Sequence, residues 1–488
     1  MQVDYSVAKD NSRTFSINGV FFHSTYSPQK EAQRFVDSLE CIIKPEIVFL
    51  IEPGLDYLSG YLKQKFNCIT VCIRIIDEQL DDKSGWDYVI PYNRNLSQTL
   101  LNLFGEEKLL SSTIFVWKPA ENLFREQVLQ IIAEYKNTLE KCKTLIVTRQ
   151  FFEKKWLINS CNFVSFAKNF VDSPIKSGLP VVVCASGPSL KPGLKILKEK
   201  RNSVFIICLS SSTSVLLKNQ IIPDLVLSTD GGYWAGQHLK QLYSYPDIPV
   251  AVSSESFIPK KILKTNPIAV LKYNDDASFI SSGIIEKCKC KTFVVERNAT
   301  VSGTALSLAK TISDNSIYFM GLDLSSGKGH AHTQPNELEK NNSLNDCRTK
   351  NLTTRILASQ FNSQSLEIYR DWFASQENVG NVFRVIENPA NKLGKISDIS
   401  TVQFEKQIDE GKTQSFSVQT EDSSIDKKQI FKYIKDELKT EAWQKQIFPA
   451  DYISIKNSQS DEEKQTALNR LEDKMKKLIS KINGLENE

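Results

Sequence analysis

Histidine and methionine are scarce in this chain: four and three among 488 residues. Long hydrophobic runs are absent as well; none approaches the roughly 20 apolar residues that cross a bilayer. The opening residues Met1-Gln2-Val3-Asp4-Tyr5-Ser6 carry no basic stretch ahead of an apolar one, which predicts no secretory signal. Charge of one sign is also missing. Sixty-one Lys and Arg against 57 Asp and Glu leave a formal +4, and the two signs are interspersed, so nothing argues for a nucleic-acid partner. Cysteine is present, ten in all, but without pairing patterns. Cys72, Cys184 and Cys208 sit inside apolar runs, as small core residues of a reduced protein do. Cys288-Lys289-Cys290 has a single intervening residue and no second pair, which argues against zinc. These absences predict a soluble, cytoplasmic chain.

What is present is the alternation of an α/β protein. The length exceeds one core and predicts two or three domains. Residues 1–170 read as an N-terminal α/β domain, with strands at 47–51, 68–75, 113–117 and 144–147 and helices at 55–65 and 121–139. Pro174 and Gly178-Leu179-Pro180 punctuate the join to a central domain, 171–355. Its strands are predicted at 180–185, 204–209, 225–228, 250–253, 269–271, 292–295 and 317–320, mostly separated by helices, which is the pattern of a doubly wound, Rossmann-like sheet. After about Ile356 the strand signal fades into a helical C-terminal region, 356–488, with helices at 366–376, 427–446 and 461–485. In the last of these Leu468, Leu471, Met475, Leu478, Ile479 and Ile482 recur at helical spacing, as in a coiled coil or a helix packed on its own domain.

Four segments can carry chemistry. In Val181-Val182-Val183-Cys184-Ala185-Ser186-Gly187-Pro188-Ser189-Leu190 a buried strand meets a tight corner and a helix start. Free N–H groups and the helix dipole favour phosphate or carboxylate there. Gly187 permits close backbone approach, Pro188 stiffens the turn, and Ser189 can cap the helix; an ordinary βα turn fits equally. Pro223-Asp224 opens a second strand whose carboxyl end carries Asp230, placed to hold a ribose hydroxyl or a metal, or simply to cap its loop. Ser302-Gly303-Thr304 open a helix after Asn298, as an anion or sugar site or a plain capped start. Finally, Gly321-Leu322-Asp323-Leu324 ends a strand and leads through Ser326-Gly327-Lys328-Gly329 to His330-Ala331-His332. Imidazole titrates near neutrality and can take a proton from a hydroxyl; a His-x-His pair can bind metal, but no third ligand is evident.

Together these segments resemble the motility accessory factor (Maf) family, whose central domain is shared with 6-hydroxymethylpterin pyrophosphokinase-like (MptE-like) proteins. The resemblance rests on Gly187-Pro188-Ser189-Leu190, Pro223-Asp224 through Asp230, residues 301–305, and Gly321-Leu322-Asp323-Leu324 through His330-Ala331. More weakly, His23-Ser24-Thr25-Tyr26-Ser27-Pro28 with Glu31-Ala32, and Phe115-Val116-Trp117-Lys118-Pro119, resemble the family's N-terminal motifs. Ser186 departs from the family, where a second small residue, often glycine, is usual.

The resemblance implies a sialyltransferase-like central domain and a cytoplasmic glycosyltransferase. Such an enzyme passes a nonulosonic acid of the pseudaminic or legionaminic type from a CMP-linked donor to Ser or Thr of flagellin. Gly187, Pro188 and Ser189 would then receive the departing phosphate, with Asp230, Ser302, Gly303 and Thr304 as further donor-binding residues. His330 is the first choice of base, with His332 second and Asp323 beside them. No tightly bound cofactor and no metal are expected. The alternatives are an ATP-dependent pyrophosphokinase, with magnesium on Asp230 and Asp323, and a non-catalytic flagellin-binding chaperone.

Overall fold

The computed structural model of the chain describes residues 3–41, 44–76, 85–93, 96–274, 279–298, 300–325, 329–354, 364–409, 418–456, 458 and 460–488. They divide into two compact units: Met1–Phe151 with Phe448–Gln465, and Phe152–Ile447 with Thr466–Glu488. The residues expected as a third, C-terminal part are distributed between these two.

In the first unit a small antiparallel sheet, β1 (Val3–Val7), β2 (Arg13–Ile17) and β3 (Val20–Phe21), precedes a four-stranded parallel sheet. The latter holds β4 (Ile47–Ile51), β5 (Ile69–Arg74), β6 (Tyr88–Pro91) and β7 (Ser112–Val116), in the order β6-β5-β4-β7. All five residues of β4 are buried, as a central strand covered on both faces requires.

The fourth strand is not the expected 144–147. Those residues lie inside a 42-residue helix, Arg125–Phe166. Val128, Ile131, Tyr135, Thr138, Cys142 and Ile146 are buried at three- and four-residue steps, whereas Leu145 and Val147 are exposed. The apolar run Leu145-Ile146-Val147 imitates a strand only within a four-residue window; the longer helical period decides the conformation.

The second unit is built on an eleven-stranded sheet. Its strands are β8 (Asn169–Val171), β9 (Val181–Cys184), β10 (Phe205–Leu209), β11 (Leu225–Ser228), β12 (Val250–Ser253) and β13 (Ile268–Tyr273). They continue with β14 (Thr292–Val295), β15 (Ile317–Met320), β16 (Val382–Val385), β17 (Ser397–Ile399) and β18 (Thr420–Asp422). The order is β17-β16-β15-β9-β10-β11-β12-β13-β8-β18, with β14 also on β13, and every pairing except β18 with β8 is parallel. The chain winds from β9 towards β13 on one side and from β15 towards β17 on the other. The order therefore reverses between β9 and β15, and in doubly wound sheets ligands bind outside the carboxyl ends at such a point.

Strands β16 and β17 lie beyond Ile356, where none was expected. Their signal is broken by Arg384 and Asp398, which face each other in register and pair at 2.6 Å with the Arg384 side chain fully buried. A charge in the middle of a short strand hides it from any apolar pattern; here the partner that makes the charge tolerable arrives on the next strand. From Lys427 onward the region is mainly helical, and the last helix, Asp461–Glu486, buries Ala467, Leu471, Leu478 and Ile482.

Candidate functional site

The reversal point between β9 and β15 carries the first and the last of the sequence motifs. After β9 the corner Ala185–Ser189 turns into the helix Leu190–Glu199; after β15 the chain passes Gly321 and reaches Asp323. Gly321 has φ +76 and its Cα approaches Ala185 so closely that a Cβ would overlap the Ala185 carbonyl. Both reasons demand glycine. A Cβ on Gly187 would collide with the Asp323 carboxylate and lie 2.5 Å from the Gly321 carbonyl. The two loops are therefore fitted to each other, and the Gly187 N–H donates to the Gly321 carbonyl at 2.9 Å.

This fit changes the expected role of the corner. The Ser189 N–H and hydroxyl donate to Asp323 Oδ2 at 3.1 and 2.9 Å. A carboxylate of the protein already holds the helix start that was expected to receive a phosphate, the interaction that helix termini favour. Burial pushes the Asp323 carboxyl above its ordinary range, against the Ser189 hydrogen bonds that stabilise its charged form.

Over the corner lies a cavity of about 580 Å³. Gly187, Pro188, Asp323 and His332 line it, together with Thr300, Val301 and Ser302 at the start of the helix Val301–Ile312 and Tyr369 from the helix Gln364–Ala374. Thr300 caps the helix, its side chain accepting from the Ser302 N–H at 3.3 Å. Ser302 thus reaches the cavity, whereas Gly303 and Thr304 are not among its lining; Gly303 packs on Asn298 and Trp372. Asp230 stays outside it as well. Exposed, it accepts from the Gly232 N–H at 2.8 Å, the short side-chain turn that caps a loop.

The two histidines face different spaces. His332 lines the corner cavity; its Nδ1 is buried without a hydrogen-bond partner among the described residues, and burial, followed by the nearby His238, holds its pKa below the usual value. His330 lines a second cavity of about 720 Å³, with its Nδ1 3.5 Å from a Glu339 carboxylate oxygen. That separation is too long for a well-formed hydrogen bond. The Ser326-Gly327-Lys328 part of the motif falls outside the described residues.

The segment carrying both histidines is tied to the sheet edge by residues that the sequence reading passed over. The Thr333 N–H donates to the Ser186 carbonyl at 2.7 Å, and its hydroxyl to the Gly187 carbonyl at 2.7 Å. Asn336 caps the helix Glu337–Ser343 and donates to the Ser211 carbonyl at 3.2 Å. Glu337 then accepts from the Ser214 hydroxyl, from Gln241 at 3.1 Å, and bonds His238 Nδ1 at 2.6 Å. Burial opposes its charge, yet the His238 and Ser214 hydrogen bonds hold its pKa below the ordinary range. The one local signal was Asn336 before two acids in the first helical turn, a helix-start pattern.

A cavity with a capped helix start, a buried carboxyl and an imidazole thus lies at the order reversal, where doubly wound α/β sheets bind their ligands. Residues 154–329 match the family described as 6-hydroxymethylpterin diphosphokinase MptE-like. An uncharacterized protein of Treponema pallidum (strain Nichols) is 32% identical over 318 residues, which is 64% of this chain and 67% of that protein. The fold is similar to that of a MAf glycosyltransferase from Magnetospirillum magneticum AMB-1, with a TM-score of 0.61 and 11% identity over 100% of this chain and 92% of that one. Residues 154–329 form an MptE-like domain, and the chain belongs to one family with the Treponema pallidum protein, on a fold it shares with that Maf protein. Among the described residues no helix is long and apolar enough to cross a membrane.

Proposed function

We propose that this protein is a glycosyltransferase that moves a nonulosonic acid from a CMP-linked donor to a Ser or Thr hydroxyl of flagellin. The observation that carries this reading is the cavity at the β9–β15 reversal, which joins Asp323, His332 and the Thr300–Ser302 helix start around one space. The donor lies there. Since Asp323 occupies the Ser189 N–H, the donor's phosphate and carboxylate are received at the start of the helix Val301–Ile312. In the transfer the acceptor oxygen forms a bond to the anomeric carbon as the bond from that carbon to the phosphate oxygen breaks. CMP leaves with the electron pair, and the hydroxyl proton passes to His330. His332, kept neutral by burial, donates a hydrogen bond to the departing phosphate.

The donor sugar supplies its own carboxylate and the leaving group is a monophosphate, so transfer continues in a chelator. The pyrophosphokinase reading draws on the family's description, but it needs Asp230 and Asp323 around one metal. Asp230 lies outside the cavity, and Asp323 is engaged by Ser189. Intact mass spectrometry of flagellin co-expressed with this protein and a nonulosonic-acid pathway tests the proposal. One sugar mass per site, lost with His330→Ala, supports it; an unmodified flagellin in both cases rejects it.

A further inference from the structure

The second cavity meets the donor cavity at the segment His330-Ala331-His332, and among the described residues its two lysines, which can only donate, have no acidic partner. Both Glu337 carboxylate oxygens are taken up by Ser214, Gln241 and His238, and Glu339 faces His330. By contrast the side chains of Lys218, Lys340, Ser244 and Tyr245, which line the same space, make no ion pair or side-chain hydrogen bond among the described residues. A cavity rich in unpaired donors accepts an anionic ligand. The two lysines project from different helices, Thr213–Lys218 and Glu337–Ser343, with apolar Leu217 and Pro335 also in the wall. A compact phosphate site gathers main-chain N–H donors at one helix start; these side-chain donors come from two helices and the Ser244-Tyr245 segment, beside an apolar wall. That distribution fits several carboxylates along an extended body. The wall shared with the donor cavity is the segment that carries His330 on this side and His332 on the other.

We infer that the second cavity binds the acceptor as an acidic peptide segment, its carboxylates held by Lys218 and Lys340 and its hydroxyl presented to His330. This rests on the transferase reading for the hydroxyl's fate, but not for the binding itself. With only four histidines, selective ¹³C labelling of the imidazoles gives the full-length chain four resonances, assignable from single His→Gln variants. The probe is a blocked peptide, Asp-Ala-Ser-Ala-Asp, and its counterpart with asparagine at both acidic positions.

The acidic peptide is expected to shift His330 and to leave His332 and the core residue His23 in place. The asparagine peptide, which loses both charge-assisted contacts, is expected to bind about a hundredfold more weakly, and Lys218→Ala or Lys340→Ala, each removing one, to weaken the acidic peptide about tenfold. His332, in the same unit as both lysines, reports that each variant is folded. An unmoved His330, equal affinity for the two peptides, or unchanged affinity in both lysine variants overturns the inference. CMP is titrated separately: failure to shift His332 counts against the donor site alone and leaves the peptide result to stand or fall by itself.

Discussion

Each unit brings a histidine to the carboxyl edge of a parallel sheet, and the two edges are finished in opposite ways. In the first unit the described residues at that edge are buried and paired with one another. Glu52, fully buried after β4, accepts from the N–H groups of Gly54, Ile75 and Ile76 and pairs with Arg74 at 2.7 Å. His23, 1% exposed, accepts from the Leu55 N–H at 2.9 Å and packs beside Trp117, whose indole N–H donates to the Phe22 carbonyl. In the second unit the corresponding edge leaves two cavities, with an imidazole at each. The difference teaches that a polar residue at a strand end acquires chemistry only where its neighbours leave it space. The described residues His23 and Trp117 of the N-terminal motifs are thus packed into the core.

The contrast is broken most sharply by exchanging the roles of the histidines. His330→Ala or His332→Ala is expected to slow transfer by about 10²–10⁴-fold, the range for a positioned proton-transfer group, with the melting temperature nearly unchanged. The first unit's edge responds instead through stability. Burial, with Arg74 nearby, pushes the His23 pKa down to about 3. The unfolded chain therefore binds the proton more readily, and stability present above the unfolded value is lost as pH falls from about 6.5 to about 3. The expected loss is on the order of 4 kcal/mol, and His23→Gln, which keeps an acceptor for Leu55, flattens that dependence in pH-resolved denaturant melts.

A smaller effect follows at the corner. Gly187→Ala drives a methyl into the Asp323 carboxylate and the Gly321 carbonyl, costing about 1–3 kcal/mol as overpacking does and weakening donor binding in the same titration. Asp230→Ala, which only opens a loop turn, is expected to cost under about 1 kcal/mol and to leave turnover within about twofold.

Most of the sheet was legible because its strands are covered on both faces and so read as continuous apolar runs, β9 and β10 above all. The failures have physical causes. Residues 144–147 form part of a helix because burial there recurs at helical steps, and β16 was hidden by a charge whose partner is 14 residues further on. At the site, Gly187 and Asp323 were visible as residues but not as contacts of each other. Their hydrogen-bonded meeting through Ser189 spans 134 positions and depends on β9 and β15 being neighbours. His238 and Glu337 lay beyond reach for the same reason, 99 positions apart.

Titration calorimetry with CMP and with ATP, each in excess EDTA and again with magnesium, bears most directly on the claim that the open edge is a CMP-sugar site. CMP binding that is indifferent to magnesium and weakened by Gly187→Ala, with no binding of ATP, is the predicted result. Tight ATP binding that requires magnesium, with CMP silent, would contradict the account.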